Sequence, residues 1–473
     1  MKLHEKIICD VLYVHTSKSL QNPDYGVIPV GIFPMLQLLQ REGYKIVAVN
    51  LAVELAINPE FNIDLYLSNC EYRVLLTDLH WYEHSYGVIE LAKISKNRNP
   101  ESKVIIGGIT SSIFAKEILQ NFNCIDYIIK GDGEQAIVTL VNYVFDGMVS
   151  QSTIPNLYYK DQFDNIQYTF DKVTVNLDEL DYVNAIELLQ NWPTYLKFNV
   201  TGVDWFKPIR SFWLGTARGC PFTCSYCGGS KDTHSKVFNS KKLRIRDLGV
   251  VSEEVKILRE KYGVYQIKPT HDIALFYRSY WERFIDILRD NNVGIYNEFW
   301  QLPKIEFIEH FITNVNLKIS RLALTVISGD ETVRKSHGKN FNNEEFFNVL
   351  QKIAEKRVAL DVYFSPNLPG ETKDIFLNST VPFIKRIRDI NPVANIYLQP
   401  ITLEPNSVLS REISDIKLKT FQDYYNYCKQ ENRTEHLGFP DHMDGEFLKY
   451  ILDTHLDNQR KESINFHYDY TRL

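Results

Sequence analysis

The 473-residue chain has little of what marks a secreted, membrane-spanning or nucleic-acid-binding protein. Its 53 Lys and Arg are outnumbered by 59 Asp and Glu, a net charge of −6. That is not the footprint of a chain that binds nucleic acid or an anionic membrane. One basic run, Lys241-Lys-Leu-Arg-Ile-Arg246, is expected to be a solvated strand edge or helix start. No apolar run approaches the roughly 18 residues of a membrane span, so no transmembrane segment is expected. Met1–Lys6 leads straight into an apolar strand pattern without a signal-peptide core. Internal repeats and low-complexity stretches are lacking too. Cysteine is scarce, at seven residues. Cys9, Cys70, Cys124 and Cys428 are scattered in apolar contexts and read as buried free thiols of a reducing compartment, not a disulfide framework. A cytoplasmic location is the expectation. The length predicts two to three domains, and 44% hydrophobic residues suffice for well-formed cores.

The other three cysteines stand together in Gly215-Thr-Ala-Arg-Gly-Cys-Pro-Phe-Thr-Cys-Ser-Tyr-Cys-Gly-Gly-Ser230, with Cys220, Cys224 and Cys227 spaced C-x3-C-x2-C. Three thiolates on one tight loop can hold three irons of a [4Fe–4S] cluster and leave the fourth iron open to a small chelating molecule. Zinc would need a fourth Cys or His close by. After Cys227 the next His is His234 and the next Cys is Cys428. Gly219, Pro221, Tyr226, Gly228 and Gly229 suit a loop wrapped closely around a cluster.

Ahead of this loop, strand and helix patterns alternate. Apolar runs at 7–15, 45–50, 72–77, 103–107 and 125–130 read as buried strands, with helices over 33–43, 86–96, 115–122 and 134–143. That is a doubly wound, Rossmann-like α/β sheet over residues 1–150, with ligands expected at the strand carboxyl ends. Those ends are polar or glycine-rich: Thr77-Asp-Leu-His-Trp81, Gly107-Gly-Ile-Thr110 and Gly131-Asp-Gly-Glu134. Residues 151–205 read as a linker with a β-hairpin over 155–170 and a boundary near residue 185. From residue 206 to 410 the alternation resumes. Strands are predicted at 211–215, 265–268, 295–299, 322–327, 359–364 and 396–399, a partial (β/α)6 barrel of the TIM type. Residues 411–473, with Tyr424, Tyr425, Tyr427, Phe439, Phe447 and Tyr450, suggest a small helical cap.

The cysteine motif resembles that of the radical S-adenosylmethionine superfamily. Ile327-Ser-Gly-Asp-Glu-Thr-Val-Arg334 resembles the family's E-S-G-[SD]-x-x-V-R stretch, with Ile327 in the usual Glu place. Leu368-Pro-Gly-Glu-Thr372 resembles its G-L-P-G-E-T turn, with Asn367 for the first Gly. The resemblance implies S-adenosylmethionine binding by Tyr226, Gly228, Gly229, Ser328, Gly329, Arg334 and Gln399. His271, Asp272 and Glu298, at the ends of the second and third barrel strands, are candidates to touch substrate. Residues 7–145 resemble the cobalamin-binding domain that precedes the barrel in one large class of this superfamily. Thr77-x-Leu79, a spacer of 27 residues and Gly107-Gly108 match its S-x-L…G-G pattern. By that resemblance cobalamin is expected against Thr77, Leu79, His80, Trp81, Gly107, Gly108, Thr110, Gly131, Gly133 and Glu134. The D-x-H-x-x-G motif that supplies a lower axial histidine is absent, because Glu83 stands where Gly is required.

The implied activity is a 5′-deoxyadenosyl radical enzyme that methylates an unactivated carbon of a small-molecule or peptide substrate, with an electron donor such as flavodoxin or ferredoxin. Ring formation or rearrangement without methyl transfer is the alternative. A non-enzymatic cobalamin or iron–sulfur sensor would not need the signals at 327–334 and 367–372.

Overall fold

The computed structural model describes residues 6–21, 26–172, 175–197, 209–240, 242–430 and 437–439. These form two compact units. The first takes the described residues up to 201 together with 231–242 and 418–433. The second takes those of 202–230, 243–417 and 434–473.

The first unit is built on a seven-stranded sheet: β1 (Val11–His15), β2 (Ile46–Asn50), β3 (Val74–Asp78), β4 (Lys103–Gly107), β5 (Tyr127–Ile129), β6 (Leu157–Lys160) and β7 (Ile166–Tyr168). Their spatial order is β2-β1-β3-β4-β5-β6-β7. The first five are parallel and the last two antiparallel. β1 runs Val-Leu-Tyr-Val-His with every residue buried, as a strand covered on both faces requires. Leu12, Val14, Leu75, Val104 and Ile106 pack with helix 85–98 on one face. The hairpin expected in a linker is instead the edge of this sheet, because β6 pairs with β5.

Two chain segments join this unit from afar. Helix Lys231–Val237, directly after the cysteine loop, is one. Helix Phe421–Lys429 is the other. The latter starts at a capping box of Thr420 and Asp423 and lays Phe421 and Tyr425 into the core under helix 85–98. The expectation of a helical cap over the barrel is therefore corrected for 421–429. Its aromatic stripe is the core face of a Rossmann-like layer. Phe447 and Tyr450 lie outside the described residues.

The second unit carries six parallel strands in chain order: β8 (Ser211–Leu214), β9 (Gln266–Pro269), β10 (Gly294–Phe299), β11 (Arg321–Ile327), β12 (Ala359–Phe364) and β13 (Asn395–Leu398). Side chains alternate along each strand. The outward set, Phe212, Ile267, Ile295, Leu322, Leu324, Leu360, Val362 and Ile396, is apolar and buried. The inward set is different in kind. Trp213 pairs with Lys268, whose ammonium lies 5.5 Å from the Trp213 ring centre and 5.3 Å from that of Tyr296. Arg321 grips Asp361 at 3.0 and 3.1 Å, and Asn395 donates to the same carboxylate at 2.8 Å. The charges of this barrel floor meet partners or aromatic rings, while Trp213 Nε1 is buried with no hydrogen-bond partner among the described residues. The mouth is left for chemistry.

The basic run is not a solvated edge throughout. Arg244 belongs to a short antiparallel pair with Arg218. Arg246 is fully buried, bonded to both Glu254 oxygens at 2.7 and 2.8 Å and to the Gly215 carbonyl at 2.6 Å. It ties the end of β8 to helix Leu248–Glu260.

Candidate functional site: the cysteine loop and the strand ends around it

Cys220, Cys224 and Cys227 are in no disulfide and are partly buried on the loop that follows β8. Three features fit a cluster. The Phe222 N–H points at Cys220 Sγ (3.4 Å) and the Gly229 N–H at Cys227 Sγ (3.3 Å), the sulfur hydrogen bonds that tune such a group. All three donors are soft sulfurs on one turn, closed by Cys227 N–H to Cys224 O at 3.2 Å. Burial pushes the Cys227 thiol well up, and the Glu404 carboxylate adds to it. As a bare thiol it is inert, and a bound metal reverses that preference by holding the thiolate.

The loop is clamped from the ends of three strands. After β9, His271 Nε2–H donates to the Gly219 carbonyl at 2.8 Å, while Thr270 bonds its Nδ1 at 3.0 Å. After β11, His337 Nε2–H donates to Pro369 O at 2.7 Å, so its Nδ1 accepts from Ser225 Oγ at 2.5 Å. Next to it, Gly338 (φ +87) lies so close to Cys224 that a Cβ would stand 3.2 Å from its Cα. After β13, Glu404 accepts the Gly228 N–H at 2.5 Å, and the Leu409 N–H reaches Ser225 O at 2.9 Å. A Cβ on Gly228 would sit 2.8 Å from Pro405 O, so the loop packs there because residue 228 has no side chain. His271, first read as a substrate contact, is thus a positioning residue of the loop. His337 carries no motif of its own; its only sequence signal is its place three residues after the Ile327–Arg334 stretch.

The other expected contacts divide. Arg334 does not reach into the site. It is fully buried and donates to Ser328 O (2.8 Å), Phe341 O (3.2 Å) and Asn343 Oδ1 (2.5 Å), with Phe341 and Phe383 over its guanidinium. Gly329 is needed for packing, since a Cβ would stand 2.6 Å from Thr380 Cα. Ser328 Oγ–H donates to Glu371 at 2.6 Å, and Thr380 Oγ–H donates to the same carboxyl at 2.5 Å. These three residues lock the β11 loop onto the Pro369–Thr372 turn and the helical segment beyond it. Ile327 precedes them at φ +66. A β-branched residue there is an outlier, and β11 shifts register against β12 at the same point. Asp272 caps the short turn Ile273–Leu275 and accepts from Trp300 N–H (2.9 Å) and Asn297 (3.2 Å). Burial raises its carboxyl to about 7. It joins the ends of β9 and β10, so its expected substrate role is also corrected.

Glu298 stays available. Its side chain is exposed, yet the surrounding protein raises its carboxyl, with Lys339 and Thr325 opposing. Lys339 itself is buried, donating to Trp300 O at 2.7 Å. Tyr226 packs with Ile327, Leu368, Leu403 and Leu409 in an apolar cluster beside the loop. Gly229 lies 3.8 Å, by its notional Cβ, from Cys227 Sγ. Gln399 continues β13, its N–H on Phe364 O at 2.8 Å.

In the first unit the residues singled out for cobalamin come together, through bonds to each other. Leu79 N–H meets Gly107 O at 2.7 Å, Thr110 bonds His80 O through both N–H (3.3 Å) and hydroxyl (3.0 Å), and Gly131 N–H reaches Ser112 Oγ at 3.0 Å. Gly108 (φ +116) leaves no cradle, because its Cβ would strike Leu79 O at 2.6 Å and His80 at 2.7 Å. Gly131 (φ +68) is likewise filled by Val237 O at 2.8 Å. Gly133 packs on Met35, and Glu134 is buried in the first turn of helix 134–146. Trp81 rests edge-on to His80 at 4.8 Å. Burial brings His80 down to about 4. Two buried hydroxyls at the strand ends, Thr16 Oγ1 and Thr77 Oγ1, have no hydrogen-bond partner among the described residues. Orphaned hydroxyls at the mouth of a doubly wound sheet fit a polar ligand tail.

Comparison with known proteins defines the class. Residues 214–379 match the Radical SAM superfamily, so the cysteine loop and the strands behind it are a radical S-adenosylmethionine domain, which implies a [4Fe–4S] cluster and S-adenosylmethionine. The anaerobic magnesium-protoporphyrin IX monomethyl ester cyclase of Rubrivivax gelatinosus is 25% identical over 389 residues, 79% of this chain and 62% of that protein. The chain thus spans under two thirds of that relative's length. The bacteriochlorophyllide d C-8(2)-methyltransferase of Chlorobaculum tepidum is 21% identical over 339 residues, 68% of this chain and 65% of that one. The fold is similar to that of the radical S-adenosylmethionine methyltransferase TsrM from Kitasatospora setae, solved with cobalamin and a [4Fe–4S] cluster. The TM-score is 0.63 at 15% identity, covering 87% of this chain and 78% of that one. No helix among the described residues is long and apolar enough to cross a membrane.

Proposed function

We propose that the protein is a cobalamin-dependent radical S-adenosylmethionine enzyme that methylates an unactivated carbon. The observation that carries the reading is the cysteine loop: three thiols on one turn, two of them receiving backbone N–H groups, held by residues from three strand ends of a radical S-adenosylmethionine domain. When bound, the cluster supplies the electron that splits S-adenosylmethionine to a 5′-deoxyadenosyl radical, and cobalamin in the first unit supplies the methyl carrier. The chain's own residues fix the loop and shape the mouth. Glu298, the accessible carboxyl there, orients a substrate N–H or O–H. The apolar group around Tyr226 keeps water from the reacting carbon.

Ring closure without methyl transfer is the second reading, favoured by the cyclase relative that matches 79% of the chain. The test uses anaerobically reconstituted protein, titanium citrate as reductant and S-adenosylmethionine labelled in its methyl group. Production of 5′-deoxyadenosine that vanishes in the Cys220, Cys224 and Cys227→Ala variant supports the radical chemistry. Label found in a product of a candidate substrate supports methylation. Turnover of substrate without label selects the cyclase reading.

A further inference from the structure

At the carboxyl ends of β1 and β3 lies a cluster that the radical chemistry does not use. His15 ends β1, Asp78 ends β3, and His84 closes the short turn Tyr82–His84; all three are buried. One ligating atom from each lies within 4.8 Å of the others. Asp78 Oδ1 accepts the Tyr13 hydroxyl at 2.6 Å and stands 2.8 Å from His15 Nδ1. Its other oxygen, Oδ2, is buried and has no hydrogen-bond partner among the described residues. A buried carboxylate oxygen without a donor costs about 1–3 kcal/mol or more, and such atoms call for an explanation. The strand order β2-β1-β3 makes this gap the topological switch point, where open α/β sheets bind ligands.

We propose that His15, Asp78 and His84 bind a divalent transition-metal ion of the zinc or ferrous class at this switch point, separate from the cysteine loop. Two imidazoles and one carboxylate are borderline donors with one negative charge, a set that suits zinc, iron(II) or cobalt(II) and not magnesium or calcium. Around a tetrahedral zinc the ligand atoms stand about 3.4 Å apart, so the cluster closes on the ion with small side-chain rotations. The orphaned Oδ2 becomes a ligand, and Tyr13 on Oδ1 orients the carboxylate. Three protein ligands leave one position open to water or a ligand in the crevice. The ion ties the Leu79–His84 loop to β1.

The test titrates zinc, against a chromophoric chelator, into anaerobic protein with its cluster reconstituted, and records zinc K-edge absorption. The expected result is about one zinc per chain beyond the cluster iron, in a shell of nitrogen and oxygen only at about 2.0–2.1 Å. This zinc survives replacement of Cys220, Cys224 and Cys227 by Ala. Asp78→Asn and His84→Gln weaken it by on the order of 100-fold while the cluster iron stays at the wild-type level. Asp78→Asn keeps the side-chain shape, and the absorption measurement on wild type needs no variant, so a misfolded His84→Gln does not blunt the test. Sulfur in the zinc shell, loss of the zinc with the cysteines, or unchanged affinity in Asp78→Asn overturns the proposal. So does a cob(II)alamin paramagnetic resonance spectrum whose nitrogen superhyperfine splitting disappears in His84→Gln, which would assign that imidazole to the corrin's cobalt.

Discussion

Replacing Arg334 by Lys decides whether that residue meets a ligand or holds the fold. The guanidinium makes three hydrogen bonds, to Ser328 O, Phe341 O and Asn343 Oδ1, from a fully buried position. A lysine ammonium at that place keeps the charge but reaches one of the three acceptors. Two charge-assisted bonds are lost at about 1.5–3 kcal/mol each, so about 3–6 kcal/mol of stability should go. For a unit of this size that lowers the midpoint of thermal unfolding by about 6–24 °C. Circular dichroism of anaerobic, cluster-loaded protein measures it. S-adenosylmethionine affinity, taken by equilibrium dialysis at 4 °C where the variant remains folded, should fall by no more than about tenfold, since the loss then reflects only a loosened β11 loop. A guanidinium gripping the ligand carboxylate would give the opposite pattern: a midpoint near that of the wild type and an affinity loss on the order of 100-fold. That result would refute the assignment.

Gly338→Ala and Gly43→Ala form a matched pair. Both glycines are at positive φ, +87 and +94, so each substitution should cost about 1–2 kcal/mol. Only Gly338 abuts Cys224, whereas nothing lies within 4 Å of a Cβ at Gly43. Iron per chain after reconstitution should therefore drop in Gly338→Ala alone, and equal iron in both variants would contradict the clamp. Gly108→Ala should destabilise the first unit by more than Gly43→Ala, because its Cβ meets backbone at 2.6 Å; equal urea midpoints would show that the Leu79–His80 loop yields freely. His80 is held by burial at about 4, below the ordinary histidine value near 6.5. The unfolded chain therefore takes up the proton first. Stability is complete above about pH 6.5 and is lost as pH falls toward 4, by about 2 kcal/mol between pH 7 and 5. The urea midpoint of His80→Gln should lack that share of the acid sensitivity, and an identical pH slope in both proteins would sink the claim.

The alternation of apolar strands with helices made both α/β layers legible, because strands buried on both faces, such as Val11–His15, leave little else for such runs to be. The cysteine triplet was legible because its chemistry is local: three ligands, one loop. What the sequence hid was the partner of each polar or glycine residue at a strand end. Gly108 and Gly329 looked like places where a ligand nears the backbone, and in the structure the backbone that nears them is the protein's own, at Leu79–His80 and Ser379–Thr380. Asp272 and Arg334 carry the charges a site would want, but spend them on main-chain groups. The aromatic stripe of 421–429 shows that the helix has a core face without showing which core. His15 and Asp78 are 63 residues apart, and only the pairing of β1 with β3 makes them neighbours.

A common cause runs through these differences. A loop that must hold three cysteines at fixed spacing has little besides Tyr226 to bury on its own account, since most of its residues are small or are the ligands themselves. It is stabilised from outside, and the nearest outside groups are the residues that end β9, β11 and β13. His271, His337, Gly338 and Glu404 are consumed in that task. The inward-facing floor is likewise closed, with Arg321 and Asn395 on Asp361 and Lys268 between two rings. Between clamp and floor, Glu298 on β10 is an exposed residue whose carboxyl is raised by desolvation. Glu298 takes no part in that clamp, whereas Ser328, Thr380 and Glu371, in and beside the stretches that most resembled a ligand-binding motif, lock the β11 loop onto the turn after β12.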